Sequence, residues 1–89
     1  MPYRIEFAFK AERDFKALDK PIQSRLARRI DFLAENPFPQ GIRKLIGEED
    51  LYRLRVGNYR IIYQVQRRRL VVLIVGIGHR TDVYRGLRR

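Results

Sequence analysis

Apolar and polar positions change period repeatedly along this chain. Tyr3, Ile5 and Phe7 alternate with Arg4 and Glu6, which predicts a short half-buried strand. From Ala8 the spacing is helical: Ala8, Ala11, Phe15 and Leu18 share one face, while Glu12, Arg13 and Lys16 point outward. Asp19-Lys20-Pro21 ends that helix and opens another, where the missing donor of Pro21 is tolerated because a first-turn N–H would be unpaired anyway. Ile22, Leu26, Ile30 and Leu33 then form an apolar stripe, with Arg25, Arg28 and Arg29 largely off it as a solvated face. Asn36-Pro37-Phe38-Pro39 stops the second helix. The expectation is a helical hairpin.

The stretch Leu51–Gln64 carries the strongest signal. Runs rich in β-branched and aromatic residues flank Gly57-Asn58, a pair suited to a two-residue turn with positive φ. Such a turn sets Val56 against Tyr59, Arg55 against Arg60 and Leu54 against Ile61. Alternation then puts Tyr52, Leu54, Val56, Tyr59, Ile61 and Tyr63 on one face, which reads as core or its rim. Arg53, Arg55 and Arg60 fall on the other, beside Ile62 and Gln64. Like charges directly opposite each other oppose folding unless they splay into water or meet an anion. The hairpin alone is compatible with a solvated basic face and with an anion site, where guanidinium groups would grip phosphates bidentately.

Around this hairpin, Gln40–Asp50 reads as loop with a short extended piece near Ile42 to Leu45. Arg67-Arg68-Arg69 reads as a solubilising turn into a further strand, Leu70 to Ile77, apolar on both faces. That strand returns antiparallel beside Arg60 and is expected to deliver His79 and Arg80 to the basic face. The tail after Thr81 reads as a turn or short helix. The order is therefore β-α-α-β-β-β, an α+β fold in which a twisted, mainly antiparallel sheet packs on the helical hairpin.

Composition narrows the function classes. With 89 residues there is room for one small domain, 1–89, and with no cysteine neither disulfides nor thiolate metal sites support it. A single His and no acidic cluster with ligand spacing beyond Glu48-Glu49-Asp50, which reads as loop, leave no credible metal site. The formal charge of +10 attracts polyanions, nucleic acid foremost and an acidic protein second. The apolar run Leu70–Ile77 is far too short to span a bilayer and the N-terminus lacks a signal-peptide pattern, so a cytoplasmic protein is expected.

At this point the residues resemble a known family. Lys44-Leu45, the stretch Leu51–Tyr63 and Gly78-His-Arg-Thr-Asp-Val-Tyr-Arg85 resemble the RelE/ParE toxin superfamily, and within it the RelE-like ribosome-dependent mRNA endonucleases of type II toxin–antitoxin systems. The likeness covers nearly the whole chain. It implies metal- and cofactor-free cleavage of messenger RNA in the decoding site of the ribosome, by attack of a ribose 2′-hydroxyl on the adjacent phosphate. It also implies a cognate antitoxin partner with an acidic helical segment. Carried over residue by residue, Arg60 would engage the scissile phosphate and Arg80 the leaving oxygen. Arg53, Arg55 and Lys44 would hold RNA. Tyr84 would stack on a base and orient the nucleophile, unless it packs the tail on the sheet. His79 and Tyr84 are easier to accept as proton acceptors than any arginine, which stays protonated.

One position departs from the pattern: Ile46 stands where some relatives carry an arginine after the Lys-Leu pair. Its role falls to Lys44 or Arg43, or is missing. Two other readings stay open. A ParE-like chain of the same fold would bind DNA gyrase without RNA chemistry, and a non-cleaving relative would retain antitoxin binding alone. The cationic set with His79 and Tyr84 favours the nuclease.

Overall fold

The chain runs as strand β1 (Arg4–Phe7), helices α1 (Phe9–Lys16) and α2 (Lys20–Glu35), and strands β2 (Arg43–Lys44), β3 (Leu51–Val56), β4 (Tyr59–Gln66) and β5 (Val71–His79). The structure is a computed structural model and describes residues 2–45, 47 and 50–79. Arg80, Tyr84 and Ile46 lie outside the described residues. The strands form one sheet in the order β1-β5-β4-β3-β2, antiparallel except for β1, which runs parallel to β5. This is the expected α+β architecture. The extended piece after the helices is realised as the two-residue edge strand β2.

The hairpin register follows from its turn. Val56 pairs with Tyr59, Arg55 with Arg60 and Leu54 with Ile61. Gly57 takes φ +62° while Asn58 does not adopt positive φ, the pattern of a type II′ turn. Leu54, Val56, Ile61, Tyr63, Val65, Val72, Ile74 and Ile77 then share one face and bury against Ala11 of α1 and Leu26, Ile30 and Leu33 of α2. Burying apolar area on this scale is the main term holding the fold together.

Polar pins set the angles between the elements. The side-chain amide of Gln23 donates to the carbonyls of Phe15, Lys16 and Leu18 at 3.1, 3.1 and 2.9 Å, so α2 caps the C-terminal end of α1. Tyr63 is fully buried, stacks on Tyr52, and its hydroxyl donates to the Pro37 carbonyl at 2.8 Å. That bond ties the exit of α2 to the middle of β4. Arg67 lies 4.8 Å over the Phe38 ring and 3.8 Å from Asp50, so part of the arginine-rich turn braces this loop as well as solubilising the chain. At the other edge, Glu6 accepts from Arg4 at 2.8 Å and meets Arg69 at 3.8 Å, which holds its carboxyl below the usual range.

Candidate functional site: an arginine face on the side of the sheet away from the helices

The two described helices, α1 and α2, pack on one side of the sheet. On the other side, direct cross-strand partners project together. Arg43 pairs with Arg53, Arg53 with Ile62, and Arg55 with Arg60. Four guanidinium groups from three adjacent strands are thus carried by one rigid surface. Beside them Leu51 and Ile62 are buried, with Leu45 and Val75 packed on them, so this face has an apolar floor next to its charges. On β5, Gly78 stands opposite Arg60 and Gly76 opposite Ile62, which leaves the neighbouring strand without side chains there. Arg53 and Arg60 are half-buried, and Arg55 is exposed with its Nε 3.5 Å from the Gly57 carbonyl.

Half-buried guanidinium groups above an apolar floor are partly stripped of water, so their attraction for an anion is screened less than at a fully exposed surface. Their planar forks match phosphate oxygens. Among the described residues no group of three or more His, Cys, Asp or Glu gathers to hold a metal ion. No described helix is long and apolar enough to cross a membrane.

The structure redistributes two of the expected site residues. Lys44 pairs with Tyr52 and so belongs to the helix-side face, at the sheet's outer edge, while its neighbour Arg43 joins the arginine row. His79 also changes sides. Tyr63 pairs with Ile74 but Ile62 pairs with Gly76, so Val75 is an extra residue in β5. Such a bulge reverses the alternation beyond it. His79 consequently lies opposite Tyr59, its ring packed edge-on at 5.1 Å between centroids, rather than on the basic face. The expectation that β5 carries it to the arginines holds for its position beside Arg60 and fails for its direction. Of Lys44 and Arg43, the two residues weighed as substitutes for the missing family arginine, Arg43 is the one that shares the face of Arg53.

Comparison with known proteins agrees with this architecture. Residues 5–84 match the family described as ParE toxin of type II toxin-antitoxin system, parDE. The chain is similar to toxin RelG of Mycobacterium tuberculosis, 33% identical, with 96% of this chain and 99% of that one covered. It is similar to the mRNA interferase toxin RelE of Escherichia coli, 30% identical, with 94% and 92% covered. Among solved structures, the RelE–RelB complex of the archaeon Pyrococcus horikoshii superposes with a TM-score of 0.79 at 31% identity, over 92% of this chain and 99% of that one. A likeness of this extent, reaching from the first strand into the tail, makes the chain a member of the RelE/ParE superfamily of type II toxin–antitoxin toxins.

Proposed function

We propose that this protein is a ribosome-dependent endoribonuclease that cuts messenger RNA in the decoding site and so arrests translation in the cytoplasm, acting as a single domain over residues 1–89. The observation that carries the reading is the row Arg43, Arg53, Arg55 and Arg60 across three strands on one face of the sheet. The names of the similar toxins, mRNA interferase RelE among them, point to the same chemistry.

In that chemistry the ribose 2′-oxygen forms a bond to the adjacent phosphorus and the bond from phosphorus to the 5′-oxygen breaks. The 2′-proton passes to a base and a proton is returned to the departing 5′-oxygen, leaving a cyclic phosphate and a 5′-hydroxyl. Arg60 binds the scissile phosphate and stabilises the charge on the phosphorane. Arg53, Arg55 and Arg43 hold the flanking backbone, Lys44 contacts RNA from the sheet edge, and Arg80 serves the leaving oxygen. Guanidinium charge takes the part a metal plays in other nucleases. Because His79 packs on Tyr59, Tyr84 is the first choice for orienting or deprotonating the 2′-hydroxyl. The ribosome supplies substrate orientation, so naked RNA is cut slowly.

A cognate antitoxin with an acidic helical segment would neutralise this surface, as the RelB partner in the related complexes suggests. The test is a translation reaction on purified ribosomes with a defined message, mapping new 5′ ends. Cuts in the decoding-site codon that fall about 100-fold or more in Arg60→Ala support the reading. An intact message with growth still arrested on expression favours the gyrase-type activity instead, in keeping with the ParE family match. An intact message with normal growth leaves antitoxin binding as the remaining function.

A further inference from the structure

The face that carries the arginines continues beyond them along β4. Alternation puts Arg60, Ile62, Gln64 and Gln66 on one side of that strand. Half-buried Gln64 stands opposite Leu51 of β3 and Leu73 of β5, so it borders the apolar floor of Leu51 and Ile62. At the usual rise of a strand it lies about 13 Å from Arg60. That is too far to reach the phosphate held by Arg60, and close enough to meet the base of a neighbouring nucleotide.

A line of hydrogen bonds fixes how Gln64 sits. Nη1 of Arg69 donates to Oε1 of Gln66 at 2.7 Å, and Nε2 of Gln66 donates to Oε1 of Gln64 at 2.8 Å. Arg69 is held in turn by Glu6, whose carboxylate lies 3.8 Å from its Nη2. A guanidinium group only donates, so Arg69 dictates that Gln66 turns its carbonyl oxygen toward it. Gln66 then has only its NH2 group to offer Gln64, which must answer with its own carbonyl oxygen. The sense of the line runs from the charge to the far end. Gln64 is left with a donor, its Nε2, which donates to no described residue.

We propose that Gln64 is a specificity-determining residue whose Nε2 donates to a carbonyl oxygen of a message base beside the cut, O6 of guanine or O4 of uracil. Gln66 and Arg69 are positioning residues that hold the amide in this sense. The inference rests on the nuclease reading above and names the bases its site prefers. Where guanine and uracil carry those oxygens, adenine and cytosine carry amino groups. An amino group would meet the Gln64 donor with another donor, and neither would be satisfied. The apolar floor next to Gln64 suits the face of an unstacked RNA base whose edge is read in this way.

The experiment compares cleavage, on purified ribosomes, of messages that differ by a single base in and around the decoding-site codon. In the wild type, at a position next to the cut, guanine and uracil are favoured over adenine and cytosine by about 3- to 10-fold. Gln64→Ala abolishes that preference. Gln66→Glu reverses it: the new carboxylate still accepts from Arg69 but also accepts from Gln64, whose amide turns over and presents Oε1 to the base. A bond line that served stability alone would leave base preference untouched. The same preference in the wild type and both variants overturns the proposal, as does a wild type with no such preference. An equal loss on every base in both variants also overturns it, and makes Gln64 a backbone contact. In parallel, the side-chain NH2 signals of Gln64, identified by their absence in Gln64→Ala, are followed by NMR as short oligouridine or oligoadenosine is added. A shift with oligouridine alone, from a protein that cuts no message, supports the base contact while sinking the nuclease reading. No cleavage and no shift overturn both.

Discussion

Arg55 and Arg60 stand directly opposite each other across the β3–β4 ladder, with no side chain from the neighbouring Gly78 between Arg60 and the next strand. Their proximity is a repulsion built into the part of the sheet with the most regular register. A double-mutant cycle of Arg55→Ala and Arg60→Ala, read by urea unfolding, gives an unfavourable coupling of about 0.2–1 kcal/mol. It shrinks as salt rises from low to physiological strength, because the pair is partly solvated. A favourable or salt-independent coupling would mean that the two groups do not share a surface. If this face binds anions as proposed, added inorganic phosphate or short RNA relieves the repulsion.

Tyr63 supplies a second test. Tyr63→Phe keeps the packing on Tyr52 and removes the donor to the Pro37 carbonyl. The loss is about 1–2 kcal/mol, seen as a thermal midpoint lower by roughly 4–8 °C per kcal/mol. Burial, with Tyr52 adding to it, raises the pKa of this phenol above its ordinary 10.0, so the folded state holds the proton more tightly than the unfolded chain. Its contribution is therefore intact below pH 10.0 and is lost as pH climbs above that value. The alkaline fall in stability is shallower in Tyr63→Phe than in the wild type.

At the hairpin tip, Gly57→Ala forces a side chain into φ +62° and pushes the Arg25 guanidinium aside. Adopting that backbone costs about 1–3 kcal/mol, measurable by urea denaturation. Removing the Arg25 obstruction in Gly57→Ala/Arg25→Ala recovers little of it if the backbone is the main term. Full recovery would assign the cost to the contact with Arg25.

Gln23→Met preserves length and shape while deleting the donors to Phe15, Lys16 and Leu18. Destabilisation of about 1–2 kcal/mol follows from the uncapped carbonyls. Amide exchange speeds up first at the α1 end, around Lys16 and Ala17, whereas β4 exchanges as before.

Local patterns carried most of the architecture, because a two-residue turn dictates pairing and alternation then sorts the side chains. The hairpin register was legible residue by residue for that reason. The parts that escaped depend on contacts distant in sequence. The parallel union of β1 with β5 leaves no local mark. The bulge at Val75 adds one residue to a run that is apolar on both faces, so alternation could not reveal it, and His79 changed sides with it. β2 is two residues long, too short to show which of Arg43 and Lys44 faces the arginines. Gln23 carries no local mark of its role, because its acceptors are the carbonyls of Phe15, Lys16 and Leu18 in the preceding turn.

The parallel pairing of β1 with β5 sets when this protein can finish folding. Arg4 donates its backbone N–H to the Leu70 carbonyl and Phe7 stands against Ile74, so β1 has no strand partner until β5 exists. During its own synthesis the chain can assemble the helices and the β3–β4 hairpin, yet the sheet stays open at β4 until residues 71–79 have left the ribosome. Both helices and the strands β2 to β4 are therefore made while β1 is still without its partner.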